Sequence, residues 1–539
     1  MATVHWPEYW NGGRYRTLEQ VMRHTAAHLP QAPALIEPSR TTSFGDLDRS
    51  TSQAANGLAA LGVQPGDRVC YVGPNVRSFF EVIFGASKVG AIPMPLNSRL
   101  SVEELTAIIR DAEPVVVFIA PHLAEHGEAF SAIPGVRHVI DWSMLDEWLA
   151  QYPATDPGYE RLLDDTAMLF YTSGTTGQPK GIELTARNIA VSVAGPMHFI
   201  DFAPGSVAYA PVPLFHVAGF GLALMAHLAG AAILLIQVEG TAALRSELIE
   251  RSVTHAVMVP TVIRDLLNLP GTREIDWSTL RWILYGGAPM PESVLREAAE
   301  VIGCDFYQGY GLTETTGGFC LLGPDDHRPN AEAVRRLRSV GRPAPNAEVK
   351  IIDVHTGAVL PAGQHGEVCM RGEALMKGYW QRPDLTSQAI DTEGWLHTGD
   401  GGEFDDDGYL YLHDRIKDMI VSGGENVYPA EVESALLAHP GVAQVAVVGI
   451  TSERWGETPV AVVVRAGEGS NAEPTQVSLT DADLAAELVA FTRARLARYK
   501  CPSAVYFAGS LPFNANGKLL KHCVREWVSA KANGLTPES

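Results

Sequence analysis

Short apolar runs alternate with helical periodicities along most of the chain. Segments such as Ser78–Val89 and Val102–Asp111 carry apolar residues at helical spacing and separate runs that predict buried strands. Strands that alternate with helices predict parallel or mixed sheets with helices packed on both faces. The predicted strands are Arg68–Val72, Val115–Ala120, Val136–Ile140, Val207–Val212, Ala231–Ile236, Ala256–Val259 and Trp282–Tyr285.

One apolar stretch, Val217–Ile236, is long enough to span a bilayer. Glycines and His227 interrupt this stretch, however. The pattern therefore predicts a buried helix to about Ala229, a turn at Gly230 and a strand Ala231–Ile236. We expect no integral membrane span, and we interpret His227 as a packing residue.

The pattern changes beyond Arg415 to a small α+β unit of normal domain size. Just before it, the acidic run Asp405–Asp407 precedes Gly408, which allows either a cation site or a hairpin turn, and the turn is favoured. The whole chain thus predicts an α/β fold, with a large N-terminal domain, residues 1–415, and a C-terminal domain, residues 416–539. The elements predicted for the second domain are a helix Ala430–Leu437, strands Ala443–Ile450 and Pro459–Val464, and a helix Leu484–Tyr499.

The composition of the chain excludes some kinds of binding partner and structural site. The chain has 539 residues and a formal net charge of −21, which argues against nucleic acid or an anionic membrane as a main partner. Its six cysteines are scattered without a Cys-x-x-Cys pair. This cysteine pattern is typical of reduced thiols and predicts neither a disulfide framework nor a zinc site, so we expect a cytoplasmic protein.

The loop Tyr171–Lys180 is the strongest candidate for a chemical function. It follows an apolar run and contains four Ser/Thr residues, two glycines and Lys180, all suited to hydrogen bonding with phosphate oxygens. It is not a Walker A loop, because Pro179 precedes the lysine. An ordinary surface loop is the alternative interpretation.

Three further segments have the same chemical character. Tyr310–Thr315 offers an aromatic ring, a glycine and a carboxylate suited to magnesium, although it could simply open a helix. Asp400 could accept hydrogen bonds from ribose hydroxyls, with Arg415 as a donor nearby. Lys518 follows Asn-Ala-Asn-Gly in a turn, where a lone lysine is usually just solvated.

Five motifs in order resemble the signatures of the adenylate-forming superfamily, and most closely those of bacterial-type acyl-CoA synthetases. They are Tyr-Thr-Ser-Gly-Thr-Thr-Gly-Gln-Pro-Lys-Gly (171–181), Tyr-Gly-Leu-Thr-Glu-Thr (310–315), Gly-Trp-Leu-His-Thr-Gly-Asp (394–400), Asp-Arg-Ile-Lys-Asp (414–418) and Asn-Gly-Lys (516–518). The resemblance implies an acid–thiol ligase that uses ATP, Mg²⁺ and coenzyme A. A carboxylate attacks the α-phosphate of ATP to give an acyl-adenylate, the C-terminal domain rotates about a hinge at Lys417, and a thiol displaces AMP.

The resemblance also implies roles for individual residues. Catalytic roles fall to Lys518, which bridges the carboxylate and the α-phosphate, to Thr313 at the α-phosphate, to Glu314, and to His216 as a gate beside the substrate; a core histidine is the alternative for the last. The remaining roles are phosphate binding (Thr172, Ser173, Gly174, Thr175, Thr176, Gly177, Lys180), magnesium (Glu314, Thr175), adenine (Gly286, Gly287, Ala288, Pro289, Tyr310, Gly311), ribose (Asp400, Arg415) and the thioester step (Gly423, Gly424, Glu425).

Small residues would leave a roomy acyl pocket without a charged partner for an amine or a second carboxylate. The expected substrate is an apolar medium- or long-chain, aryl or bulky alicyclic acid, and the expected assembly is a monomer or homodimer. One departure is Ala186, where many relatives carry histidine, so the rate of adenylation is in question. The predicted pocket residues are Val217, Ala218, Gly221, Val259, Gly309, Thr315 and Gly317.

Three other functions share these motifs. A stand-alone adenylation enzyme would load a carrier protein in place of coenzyme A, or the chain would perform mainly one half-reaction. An oxidative luciferase would need oxygen and emit light. A binding protein without catalysis is disfavoured, because Lys180, Glu314, Asp400, Arg415 and Lys518 are all present.

Overall fold

In the computed structural model, the chain divides into two compact units. Unit 1 comprises residues 1–349, 369–397 and 406–410, and unit 2 comprises residues 350–368, 398–405 and 411–539. The description below covers residues 16–173, 179–194, 201–209, 212–238, 240–286, 290, 292–328, 333–422, 425–452, 456–466, 480–513 and 519–532.

The strands are short, as expected for a layered α/β protein. In chain order they are β1 (Pro33–Ile36), β2 (Thr41–Ser43), β3 (Arg68–Val72), β4 (Ile92–Leu96), β5 (Val116–Ile119), β6 (His138–Asp141), β7 (Thr166–Ser173), β8 (Pro179–Thr185), β9 (Val207–Tyr209), β10 (Ala232–Leu234), β11 (His255–Met258), β12 (Trp282–Gly286), β13 (Asp305–Leu312), β14 (Gly317–Leu322), β15 (Arg342–Pro343), β16 (Ala347–Ile352), β17 (Gly366–Gly372), β18 (Gly378–Tyr379), β19 (Leu396–Phe404), β20 (Leu410–Arg415), β21 (Ile420–Ser422), β22 (Glu425–Val427), β23 (Val442–Ser452), β24 (Gly456–Arg465) and β25 (Ala504–Phe507).

The helices alternate with these strands. They are α1 (Leu18–His28), α2 (Phe44–Ala60), α3 (Arg77–Lys88), α4 (Val102–Ala112), α5 (Gly127–Ser131), α6 (Leu145–Leu149), α7 (Ala186–Ala194), α8 (Val217–Leu228), α9 (Thr241–Glu250), α10 (Pro260–Leu267), α11 (Glu292–Val301), α12 (Pro324–His327), α13 (Ala333–Arg336), α14 (Pro383–Ala389), α15 (Pro429–Leu437), α16 (Asp481–Arg493) and α17 (Lys521–Ala532).

Unit 1 contains three sheets, as the alternating pattern predicts. The largest has the order β15-β14-β13-β12-β11-β9-β10-β1-β2, and its strands from β13 to β1 run parallel. A second sheet, β4-β3-β5-β6, is wholly parallel. The third, β18-β8-β7, is antiparallel. The predicted mixed and parallel sheets are confirmed.

Helices cover both faces of the nine-stranded sheet. Trp282 of β12 belongs to a hydrophobic cluster with α1, α2, α3, α7 and α8, whereas Ile283, the next residue, packs with α9, α10 and α11. Successive side chains of a strand point to opposite faces, so a strand buried on both faces is apolar throughout. This is why continuous apolar runs predicted these strands.

The stretch Val217–Ile236 folds as predicted. Helix α8 ends at Leu228, Gly230 adopts a φ of 75°, and β10 follows inside the large sheet. His227 is fully buried, with its Nε2 3.1 Å from the carbonyl oxygen of Ala34. Within the ranges given above, none of the helices has the length and apolar character that a bilayer span requires.

Unit 2 contains a five-stranded sheet with helices on both faces. Its order is β22-β21-β24-β23, and β25 pairs with β24. Val463 of β24 faces a cluster with α15 and α16, whereas Val462 faces α17. Most residues of a further sheet, β16-β17-β19-β20, also belong to this unit. The acidic run forms the predicted turn between β19 and β20, with Gly408 at a φ of 79°.

One predicted helix is too long. Helix α16 ends at Arg493, although the pattern predicted helix to Tyr499. Leu496 packs in the core cluster of α15 and α16, and the Nζ of Lys500 lies 2.7 Å from Oε2 of Glu431. These tertiary contacts outweigh the helix propensity of the intervening residues.

Candidate active site

The predicted phosphate loop connects two paired strands, β7 and β8. Thr172 lies opposite Lys180, and Tyr171 lies opposite Gly181. The Tyr171 hydroxyl donates to Oδ2 of Asp111 at 2.7 Å, and burial raises the pKa of this tyrosine. The hairpin thus holds Thr172 and Lys180 side by side at the base of the loop, while residues 174–178 lie outside the described residues.

Tyr379 links two predicted site residues that are far apart in the chain. Its strand, β18, pairs with β8, and the Nζ of Lys180 lies 5.2 Å from the centroid of the Tyr379 ring. The Tyr379 hydroxyl donates to Oε1 of Glu314 at 3.0 Å. A hydrogen bond also fixes the Glu314 backbone, because its carbonyl oxygen accepts from the Met376 amide at 2.8 Å. Lys180 and Glu314 therefore contact different parts of one aromatic side chain.

Glu314 lies in a tight turn between β13 and β14. Thr313–Thr315 form a single 3-10 turn, where Thr-Glu could have opened a longer helix. Thr315 is buried, and its hydroxyl donates within the turn, 3.0 Å to the Leu312 carbonyl oxygen and 2.7 Å to that of Gly317. The hydroxyl of Thr315, a predicted pocket residue, therefore stabilises the turn that presents Thr313 and Glu314.

Gly311 allows the two strands of this turn to approach closely. A Cβ atom there would lie 1.8 Å from the carbonyl oxygen of Gly317, closer than any side chain tolerates. The neighbouring Tyr310 ring packs on Phe319, with 4.8 Å between the ring centroids. The Tyr-Gly pair therefore gives one packed ring and one close contact between backbones within the β13–β14 turn.

The carboxyl ends of three parallel strands bring further predicted residues to one edge of the large sheet. Val259 directly follows β11, Gly286 ends β12, and Gly309 lies opposite Gly286 on β13. A Cβ at Gly286 would lie 2.7 Å from the Gly309 carbonyl oxygen, so the two backbones require glycine to pack this closely. Ligands of open parallel sheets bind at this edge.

Four residues predicted for the gate and the acyl pocket lie at or near the beginning of α8. His216 directly precedes the helix and is half-buried, with its ring 4.5 Å from that of Phe215. Val217 and Ala218 begin the helix. Gly221, one turn further along, has no atom of the described residues within 4 Å of the position that a Cβ would take. The helix therefore has open space beside Gly221.

Ala186 is part of the hydrophobic core. It is the first residue of α7 and only 1% exposed. Its amide donates to the Asp165 carbonyl oxygen at 3.0 Å. A histidine ring at this position would have to displace core side chains, so the departure from the family pattern at Ala186 is a feature of core packing in this chain.

Asp400 belongs to unit 2, on β19. Its amide donates to the hydroxyl of Thr398 at 3.1 Å, and the Gly399 amide donates to Oε1 of Glu367 at 3.0 Å. Gly399 has a φ of 70°, a conformation that favours glycine. The Thr-Gly-Asp motif is thus a defined local structure that orients the Asp400 backbone.

Several of the residues predicted for the site lie wholly or partly outside the described residues. The side chains of Ser173, Arg415, Lys417 and Glu425 lie outside the described residues, as do Gly174, Thr175, Thr176, Gly177, Gly287, Ala288, Pro289, Gly423, Gly424 and Lys518 in full.

The donor set around Glu314 suits magnesium. Mg²⁺ prefers oxygen ligands, and Glu314 offers a half-buried carboxylate whose orientation is set by Tyr379. Tyr379 itself was missed by the sequence analysis. The two-residue strand that carries it, β18, is too short to give a periodic signal.

Comparisons with known proteins agree on the family that this chain resembles. The AMP-binding enzyme family matches residues 22–380, and the AMP-binding enzyme C-terminal domain matches residues 431–518. A fatty acid–[acyl-carrier-protein] ligase from Streptomyces coeruleorubidus is 36% identical over 532 residues, which cover 98% of each chain. A feruloyl-CoA synthase from an Amycolatopsis species is 38% identical over 498 residues, 92% of this chain and 96% of the relative.

A solved structure agrees with these relatives. The o-succinylbenzoate CoA synthetase of Bacillus subtilis, in complex with an acyl-adenylate intermediate, aligns with a TM-score of 0.81 at 30% identity, covering 94% of this chain and 97% of the other. The chain therefore belongs to the AMP-binding enzyme family, within the adenylate-forming superfamily of ATP-dependent acid–thiol ligases.

Proposed function

We propose that the protein converts an apolar carboxylic acid, ATP and coenzyme A into an acyl-CoA, AMP and pyrophosphate. In the first step the acid's carboxylate oxygen attacks the α-phosphorus of ATP, and pyrophosphate leaves. In the second step the coenzyme A thiol attacks the acyl carbon, forming the thioester and releasing AMP. The smaller unit would rotate about Lys417 between the steps.

The cluster of Lys180, Tyr379 and Glu314 carries this proposal. A cation and a carboxylate from two separate motifs contact one tyrosine. The Lys180 Nζ lies 5.2 Å from the centroid of the Tyr379 ring, and Oε1 of Glu314 accepts from the Tyr379 hydroxyl at 3.0 Å. Adenylation needs a cation at the leaving pyrophosphate and a carboxylate that holds a metal ion near the same charge. Both groups are available in this cluster.

The other predicted residues would supply the remaining contacts to the substrates. Lys180 and Thr172 would bind the terminal phosphates, and Thr313 the α-phosphate. Glu314 would hold Mg²⁺, which neutralises phosphate charge when bound. Adenine would lie between Gly286 and Tyr310–Gly311. On unit 2, Asp400 and Arg415 would bind the ribose, Gly423, Gly424 and Glu425 would serve the thioester step, and Lys518 would bridge the carboxylate and the α-phosphate.

The substrate would be an apolar acid with a bulky or extended body. Gly221 has open space beside it on α8, next to the predicted gate His216. Two of the three enzymes named above act on fatty and feruloyl groups, both of which are largely apolar. We therefore favour medium- or long-chain, aryl or bulky alicyclic acids.

Separate assays of the half-reactions test the proposal. Pyrophosphate exchange into ATP, without coenzyme A, measures adenylation over a panel that contains decanoic, palmitic, ferulic and cyclohexanecarboxylic acids. Thioester formation from supplied acyl-adenylate measures the second step. We expect both activities with at least one apolar acid, and exchange should require Mg²⁺. Failure of every acid to support exchange would contradict the proposal.

A carrier protein is the second candidate acceptor, because one relative is a ligase for an acyl carrier protein. Both acceptors present the acid with the same phosphopantetheine thiol, so the pocket residues do not discriminate between them. Competition between coenzyme A and a holo-acyl carrier protein decides the acceptor. Faster transfer to the carrier protein would favour this second function.

A further inference from the structure

Two histidines and a glutamate of unit 2, none of them assigned a role in the reaction, form a compact cluster. His365 directly precedes β17, Glu403 lies on β19 and His413 lies on β20. One candidate ligand atom from each side chain lies within 4.8 Å of the other two. Nitrogen and oxygen ligands thus converge from three parts of one sheet.

The spacing is close to that of a metal site. Nε2 of His365 is 3.3 Å from Oε2 of Glu403, and Nε2 of His413 is 3.9 Å from Oε1 of the same carboxylate. Ligands about 2.0–2.1 Å from a tetrahedral zinc ion lie roughly 3.3 Å from one another. The first pair already has this separation, and the second pair, measured to the other oxygen of the same carboxylate, lies at 3.9 Å.

His413 provides an independent indication of a ligand. Its Nε2 is buried and makes no hydrogen bond to any of the described residues. Buried polar atoms in folded proteins nearly always have a partner, and an ion is one way of supplying it. The atom lies on the side of the ring that faces Glu403.

The surroundings hold the three side chains in place. The Gly363 amide donates to the Phe404 carbonyl oxygen at 2.8 Å, which ties the loop before His365 to the strand of Glu403. The two histidine rings lie 4.3 Å apart, and the Tyr428 ring packs on both, at 5.7 Å from His365 and 5.1 Å from His413. His365 remains 44% exposed, so an ion can enter from solvent.

We propose that His365, Glu403 and His413 bind one transition-metal ion of the zinc class, with a fourth position left for water. Imidazole nitrogens favour Zn²⁺, Co²⁺, Ni²⁺ or Cu²⁺, whereas Mg²⁺ prefers an all-oxygen octahedral set. The site is therefore chemically distinct from the magnesium that accompanies ATP. An ion there cross-links the loop before β17 to the β19–β20 hairpin and so stabilises this unit.

Metal titration of the full-length, tag-free protein tests the site directly. After removal of metals with a chelator, isothermal titration with ZnCl₂ in the absence of ATP should show one equivalent bound, and Co²⁺ should give a ligand-field absorption band in the visible. His365→Ala, Glu403→Gln and His413→Ala should each weaken binding by more than the roughly 10–100-fold typical of losing an outer-sphere partner. His355→Ala, an exposed histidine of the same unit, is the matched control and should bind like the wild type.

Thermal unfolding gives a second readout that is independent of catalysis. Zn²⁺ should raise the unfolding midpoint of the wild type and of His355→Ala, but not that of His365→Ala, because only the folded state holds the three ligands together. His365 is exposed, so its variant should fold normally even if His413→Ala does not. Absence of Zn²⁺ binding by the wild type, or binding that survives in both His365→Ala and Glu403→Gln, would overturn the proposal.

Discussion

Tyr379 illustrates how one side chain can serve two charged groups. Its ring lies under the Lys180 ammonium while its hydroxyl donates to Glu314. The two contacts use different parts of the residue, so a substitution can remove one and keep the other. Tyr379 is a positioning residue in this arrangement, because it acts through Lys180 and Glu314.

Tyr379→Phe should lower pyrophosphate exchange about tenfold, since a hydrogen bond to a charged group contributes about 1.5 kcal/mol or more. The Mg²⁺ concentration that gives half-maximal exchange should rise as well, because Glu314 loses its orientation. Tyr379→Leu removes the ring from beneath Lys180 and should cost more. Full activity of Tyr379→Phe with an unchanged Mg²⁺ requirement would rule out the positioning role.

His227 makes stability depend on pH. Burial lowers the pKa of this histidine to about 4. Its pKa in the unfolded chain is about 6.5, so below that value the unfolded state binds a proton that the folded state does not. The stabilisation is therefore complete above about pH 6.5 and is lost progressively as the pH falls toward 4.

His227→Gln removes this titration and retains a donor for the Ala34 carbonyl oxygen. Between about pH 7.5 and pH 5 the wild type should lose about 2 kcal/mol more unfolding free energy than the variant, measured by urea denaturation. His122→Gln, at an exposed position, is the control. Equal losses in wild type and His227→Gln would contradict the prediction.

Helix α8 shows that two glycines two residues apart, on nearly opposite faces of the helix, can have opposite roles. A Cβ at Gly219 would lie 2.6 Å from the Pro213 carbonyl oxygen and 2.8 Å from that of Val212. Among the described residues, a Cβ at Gly221 would meet no atom within 4 Å. The first glycine permits close packing against backbone, whereas the second has open space beside it.

Gly219→Ala should destabilise the protein by about 1–3 kcal/mol, because backbone atoms cannot easily move aside. Gly221→Ala should leave stability unchanged or slightly higher, since alanine is the better helix former. If the open space belongs to the acyl pocket, Gly221→Ala should shift the acid preference toward slimmer substrates in the exchange assay. Thermal unfolding and the acid panel together check both variants, and an unaltered acid preference for Gly221→Ala would place the pocket elsewhere.

At the scale of the secondary-structure elements, the bounds of the most deeply buried strands were predicted best. Strand β3 matches its prediction residue for residue, and β5, β11 and β12 match to within one residue at either end, because strands covered on both faces are continuous apolar runs. Helix α16 was predicted too long and β18 was missed. In both cases tertiary contacts, not local periodicity, decide where the element begins or ends.

At the scale of the whole molecule, the residues proposed for the reaction fall in both units. Lys180, Glu314 and Tyr310 belong to the first unit, whereas Asp400 belongs to the second. A reaction of two steps, each of which needs different residues, can draw those residues from two separate units. The boundary at residues 415 and 416 and the hinge at Lys417 remain predictions.

Lys518→Ala should damage adenylation far more than thioester formation. Two anions must meet in the first step, and a lysine between the carboxylate and the α-phosphate stabilises that charge. The second step, started from supplied acyl-adenylate, involves no such encounter. We therefore expect a loss of at least about 100-fold in pyrophosphate exchange, as for removal of one oxyanion-stabilising group. A similar loss in both half-reactions would refute this assignment.

The sequence alone determined the fold class and the chemistry of the chain. Apolar runs defined the buried strands, glycine, hydroxyl and lysine residues indicated a phosphate site, and the resemblance of five ordered motifs to the adenylate-forming superfamily implied an enzyme that activates acids with ATP. These inferences succeed because burial and backbone conformation act on neighbouring residues, so their requirements are written locally along the chain.

Tertiary structure alone decided which distant residues meet. The pairing of β18 with β8 brings Tyr379 to Lys180, and the β13–β14 turn brings Glu314 to the same ring. Likewise, neighbouring strands bring Glu403 and His413 together with His365. Such proximity depends on sheet order and strand register, which are set by the packing of the whole chain and leave no periodic signal in any one segment.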